Sequence, residues 1–110
     1  MSQKGETMDM QGTFFFDPDD GIYEDHFPGN PVVPGTLIVS AFMEAGKQAG
    51  FQEGPHTLID FRFKEFVYPG TYDFIIQIQE DRMQCRLCCK SSTKPETLVS
   101  GTIKRETWTS

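Results

Sequence analysis

An α+β fold, with one early helix followed by a meander of antiparallel strands, is what this sequence predicts. Two observations carry the expectation. A stretch apolar on nearly every side, from Pro34 to Ala49, is bracketed by a proline and by Gly50, the punctuation of a helix start and of the residue just past a helix end. Behind it come four segments of strand-like composition, several with apolar and polar residues in strict alternation. Runs of strands after a single helix define an α+β domain.

Residues 1–11 are polar, dotted with methionine and without periodicity, and read as a disordered tail, leaving 12–110 as one domain. Phe14-Phe15-Phe16 starts a first strand, stopped by the turn cluster Asp17-Pro18-Asp19-Asp20-Gly21. The helix follows, with Leu37, Ile38, Val39, Ala41, Phe42, Met43 and Ala45 occupying nearly all sides, so it must be buried on most faces. In Thr57 to Lys64, Ile59, Phe61 and Phe63 alternate with Asp60, Arg62 and Lys64 as in a half-buried strand. Tyr72, Phe74, Ile76 and Ile78 form the inward side of the next. Glu80-Asp81-Arg82 turns the chain into a third, with Met83, Cys85, Leu87 and Cys89 facing in, and Leu98 to Thr107 make the last.

Composition narrows the function classes. A formal charge of −6 argues against nucleic acid, which calls for a basic face. No run reaches the eighteen or so apolar residues of a membrane span, and no signal-peptide pattern is present. The three cysteines, Cys85, Cys88 and Cys89, crowd into five residues. Neighbours on a strand point to opposite faces, so reduced thiols in the cytoplasm are expected rather than disulfides. The C-x-x-C spacing lacks a second pair of zinc ligands, so no metal and no cofactor are expected. Arg62 and Lys64 on one strand, with Arg86 and Lys90 on another, fall on outward alternations and can supply a local basic patch.

The stretch His26-Phe27-Pro28-Gly29-Asn30-Pro31-Val32-Val33-Pro34-Gly35-Thr36-Leu37 runs straight into the helix. Three prolines and two glycines within ten residues make a stiff, sharply turned segment. His26 is thereby held near a helix start, whose unpartnered N–H groups attract developing negative charge. These residues resemble the signature of the (3R)-hydroxyacyl-acyl carrier protein dehydratases of type II fatty acid synthesis, which reads approximately HFPGxPxxPGxLxxEAxxQ. His26 through Leu37 match every specified position of its first half. Arg62-Phe63-Lys64-Glu65-Phe66-Val67-Tyr68-Pro69-Gly70 is similar to the family's later RFrrPVxPGD element. The resemblance implies the hotdog fold, a long central helix wrapped by a curved antiparallel sheet. It also implies a homodimer or trimer of dimers, each site shared between two subunits, and an acyl carrier protein or CoA thioester as substrate.

Dehydration of such a thioester removes a C2 proton and expels the C3 hydroxyl. The site therefore needs a base, an acid or held water near the departing oxygen, and donors for the thioester oxygen. His26 is the candidate base, since an imidazole titrates near working pH. Backbone N–H groups around Gly35 and Thr36 are the candidate donors, with Phe27 and Val33 beside the substrate. His56 lacks such a setting and reads as a surface or turn residue.

The departure from the family lies fourteen residues after His26, where the helix carboxylate of the signature is replaced by Ser40. A serine can hold a water but cannot act as an ionisable acid at neutral pH. Glu44 lies one turn further on the same face, about 6 Å along the axis, and can act through a water. Three readings follow: a dehydratase with Ser40 and Glu44 replacing the usual acid, an acyl-thioester-binding subunit that needs a partner chain, and a hotdog thioesterase.

Overall fold

The computed structural model describes residues 7–21, 31–51, 54–89 and 96–106. Strand β1 (Thr7–Phe16) precedes the helix α1 (Gly35–Gln48), and β2 (His56–Phe63), β3 (Gly70–Gln79), β4 (Arg82–Cys89) and β5 (Thr97–Arg105) follow it. The strands form one antiparallel sheet in the order β1-β3-β4-β5-β2, so the two strands flanking the helix in sequence lie at opposite edges. The expected tail boundary moves. β1 begins at Thr7 and pairs along its whole length with β3, from Thr7 opposite Gln79 to Phe16 opposite Gly70.

The helix is placed by its ends. Pro34 is its N-cap, one position before the helix proper, and its carbonyl accepts from the Leu37 and Ile38 N–H groups. At the other end Gly50 takes φ +103°, a left-handed conformation that costs glycine little. The Phe51 N–H then reaches the Gly46 carbonyl at 2.8 Å and the Gly50 N–H the Lys47 carbonyl at 3.1 Å. This Schellman pairing satisfies carbonyls that the helix leaves open and drops Phe51 into the core.

Ile38, Phe42, Ala45 and Gly46 form the buried face of α1. Phe42 meets the Phe14 ring edge-on at 5.4 Å between centroids, and Phe14 stacks on Phe74 at 4.1 Å, so helix, β1 and β3 lock through three rings. Gly46 lies against Met83 of β4, where any side chain would press on the sulfur. Leu37, Val39, Ala41 and Met43 are only half-buried, while Thr36, Ser40, Glu44, Lys47 and Gln48 are exposed. The helix in a single chain is thus covered on one face and along its flanks, less than the all-round apolar pattern predicts.

Two strands depart from simple alternation. In β2, Ile59 opposes Thr102 and Arg62 opposes Ser100, so Asp60 and Phe61 together face Gly101 in a bulge, with Asp60 at φ +53°. Phe61 folds its ring over Gly101, and Phe63 ends 47 % exposed rather than inward. In β4 the register shifts after Leu87, which buries Cys88 and leaves Cys89 only half-buried, the reverse of the expected order. The hairpin between β3 and β4 turns at Glu80 and Asp81 as expected, with Glu80 in the left-handed region.

Burial has a measurable consequence at Cys85. Its thiol is 3 % exposed and is pushed up to about 12 by desolvation. The unfolded thiol ionises near its ordinary value of 9.0, so stability is complete below that pH. It falls by about 1.4 kcal/mol per pH unit as the unfolded chain alone loses the proton, until the folded thiol ionises as well. Cys85→Val is therefore expected to flatten the alkaline loss of stability between roughly pH 9 and 12, read from urea midpoints at each pH. An unchanged alkaline slope would locate the loss elsewhere. Tyr72, raised chiefly by burial and donating to the Tyr68 carbonyl at 2.6 Å, acts in the same sense at higher pH.

Candidate functional site

The polar strip on α1 lies along a cleft. Ser40 and Glu44, one turn apart, both line a hollow of about 400 Å³ with Phe15, Phe16, Asp17, Asp20, Leu37 and Ala41. Glu44 and Ala41 also line a second hollow of about 380 Å³, walled by Met10, Gly12, Thr13 and Phe14 of β1 and reaching Gln48 and Phe74. Glu44 therefore stands where the two meet, in a groove between the helix and β1. The stacked Phe14 and Phe74 rings line its second part, and Gly12 and Ala45 keep the wall low. A side chain at Gly12 would run into the Phe74 ring. An apolar groove with a few polar groups at its rim is the ordinary form of a small-molecule site.

The helix start forms the other part. The Val33 N–H donates to the Val67 carbonyl at 2.7 Å, tying the segment before the helix to the one after β2. Val33 itself is 3 % exposed and packs in the core, so its side chain anchors the loop. Phe63 lies against the Cα of Gly35. Among the described residues no side chain caps the helix, no acid sits in its first turn, and Thr36 is exposed. The first-turn N–H groups thus keep their partial positive charge for a ligand oxygen.

His26 and Phe27 lie outside the described residues. His56 starts β2, with Nδ1 3.4 Å from the Gly54 carbonyl, and lines neither hollow. Helix periodicity sets Ser40 and Glu44 on one strip, and both line the first hollow. Met10 of the β1 wall falls in the segment 1–11 that reads as a tail, and Thr13 lies just ahead of the Phe14-Phe15-Phe16 run that marks the expected strand. The alternation of Met8, Met10, Gly12, Phe14 and Phe16 was the signal. Gln48, one further turn beyond Glu44, was equally available. No helix among the described residues is long and apolar enough to cross a membrane.

A helix laid on one face of a five-stranded antiparallel sheet, with a cleft along the helix, defines a hotdog protein. Solved structures share it. An uncharacterized protein from Erwinia carotovora subsp. atroseptica aligns with a TM-score of 0.77 at 21 % identity, over 94 % of this chain and 86 % of the other. The dehydratase heterocomplex ApeI:P from Xenorhabdus doucetiae aligns at 0.70 and 19 % identity, over 90 % and 92 %. At such identities the likeness shows the fold alone. The family model for ApeI-like dehydratases matches residues 2–102, and the chain belongs to that family. The 3-hydroxyacyl-[acyl-carrier-protein] dehydratase FabZ of Herpetosiphon aurantiacus is 32 % identical over 89 residues, covering 74 % of this chain. The chain spans 60 % of that relative's length.

Proposed function

We propose that this protein dehydrates 3-hydroxyacyl thioesters, carried on acyl carrier protein or CoA, with His26 as the base that takes the C2 proton. The N–H groups of Gly35 and Thr36 receive the charge that builds on the thioester oxygen. Glu44, directly or through a water held at Ser40, delivers the proton on which the C3 hydroxyl leaves as water. The carrying observation is the groove in which Ser40 and Glu44 follow one another along α1 behind an uncapped helix start. Family membership and the FabZ relatives support the same reaction class.

The site is shared between two copies in this reading. Leu58, Phe63, Phe66 and Tyr68 are between 46 % and 72 % exposed, on the open-edge strand β2 and the segment after it. Edge-to-edge pairing there would bury them and satisfy the free edge. Light scattering is the check: a stable monomer at micromolar concentration would remove the shared site. A second reading has this chain bind the thioester but rely on a different hotdog subunit for its acid, as Ser40 at the carboxylate position and the heterocomplex named for a fold neighbour favour.

The test is incubation of the pure protein with 3-hydroxyacyl carrier and CoA thioesters, with enoyl formation and free thiol followed in parallel. Enoyl product supports dehydration; free thiol alone would make the protein a thioesterase. His26→Ala is expected to abolish enoyl formation while melting stays unchanged, because the prolines and glycines shape the loop. Unchanged turnover in that variant would remove His26 from the chemistry.

A further inference from the structure

We propose that the sheet face turned away from the helix carries a binding site for a phosphate-bearing small molecule, centred on Arg62, Ser100 and Arg86. The register places these residues in one row across three neighbouring strands, Arg86 of β4 opposite Ser100 of β5 and Ser100 opposite Arg62 of β2. The two arginine Cα atoms are therefore two strand spacings apart, about 10 Å. Two guanidinium groups at that separation can close on one oxyanion above the serine hydroxyl, each offering a forked pair of donors. All three line a hollow of about 550 Å³, whose floor continues through Thr102, Gln84 and Gln77. Those side chains supply hydroxyl and amide groups for the rest of a ligand of nucleotide size.

Two further observations point to an anion. Arg82 and Lys104, one row beyond Gln84 and Thr102 on the same face, stand directly opposite each other across β4 and β5. Like charges in that relation are destabilising, and a bound anion nearby relieves them. Among the described residues none of Arg62, Arg82, Arg86 and Lys104 has an acidic partner. In a chain with sixteen acidic residues against ten lysines and arginines, four cations thus gather on one sheet face without an ion pair among the described residues. The acids of the hollow, Asp9 and Asp60, come from the two edge strands, outside the Arg62–Ser100–Arg86 row. The bulge at Asp60 and Phe61 bends β2 beside this row. The site is separate from the groove along α1 and does not depend on the reaction proposed there.

The test uses the full-length, isotope-labelled chain titrated with inorganic phosphate and with adenosine monophosphate at constant ionic strength, with chloride as reference. Saturable amide shifts at Arg62, Arg86 and Ser100 are expected, with a rise in melting temperature beyond that in chloride. Tighter binding of the ester than of free phosphate would identify an organic phosphate as occupant, and equal binding the free ion. The double variant Arg62→Gln with Arg86→Gln should weaken binding about tenfold or more while its unliganded melting temperature is retained. Arg82→Gln with Lys104→Gln should weaken it far less. Shifts that do not saturate, that chloride reproduces, that survive the Arg62 and Arg86 substitutions, or that centre on the helix start would overturn the proposal. Binding of an acidic carrier protein without any binding of phosphate would do the same.

Discussion

Glu44→Gln is expected to lower enoyl formation by a factor of about 10² to 10⁴, the usual span for a lost general acid or base. The amide keeps the shape of the side chain and its place between the two parts of the groove, so substrate binding should hold while turnover falls. Melting should hardly move, since Glu44 is exposed on the helix. Ser40→Glu separates the two readings of the site. If Glu44 already supplies the proton, a second carboxylate one turn away adds nothing and harms through like-charge repulsion. If the chain depends on a partner's acid, Ser40→Glu should raise the rate of the pure protein by restoring a carboxylate fourteen residues beyond His26. A wild-type rate left untouched by both substitutions would mean that neither residue is the acid.

The largest loss of stability is expected from Phe42→Ala. Phe42 is fully buried, and its ring closes edge-on against Phe14, itself stacked on Phe74. Truncating a core phenylalanine costs about 3–5 kcal/mol, a large fraction of the whole for a small domain. At about 4–8 °C per kcal/mol for a chain of this size, the melting temperature should drop by more than 10 °C. Phe42→Leu, which keeps most of the volume, should cost well under half as much. Phe14 and Phe74, which Phe42 supports from behind, line the groove, so Phe42→Ala should also weaken thioester binding at temperatures where it remains folded. A drop of only a few degrees would show that the helix is held mainly by contacts other than these rings.

Much of this arrangement is legible in the residues. Pro34 and Gly50 mark the helix to within a residue at each end, because both act through local backbone geometry. Helix periodicity is local too, and it suffices to put Ser40 and Glu44 on one strip. The strands of the β3–β4 hairpin follow from alternation and a short turn. What alternation cannot show is the partner strand. The bulge at Asp60 and Phe61 exists because Gly101, forty residues away, leaves room for the Phe61 ring. The shift that buries Cys88 is likewise set by pairing with β5. β1 was obscured at its start for a different reason. Thr7, Asp9 and Gln11 point outward from an edge strand, and a half-polar edge segment looks like an unstructured one until β3 is seen beside it.

The left-handed aspartate in β2 has a consequence for how this protein behaves when crowded. An open edge strand invites any extended chain to continue the sheet, and that is the usual route to aggregation. Here the break in register between Ile59 and Arg62 leaves only short straight stretches on either side of Asp60. A regular strand from a misfolded neighbour cannot pair across that interruption without leaving backbone groups unbonded. The edge thus acts as a filter, open to a segment that bends in register with it and poorly receptive to others. Straightening it, as a β-branched residue at position 60 would favour, would enlarge the set of chains able to join there.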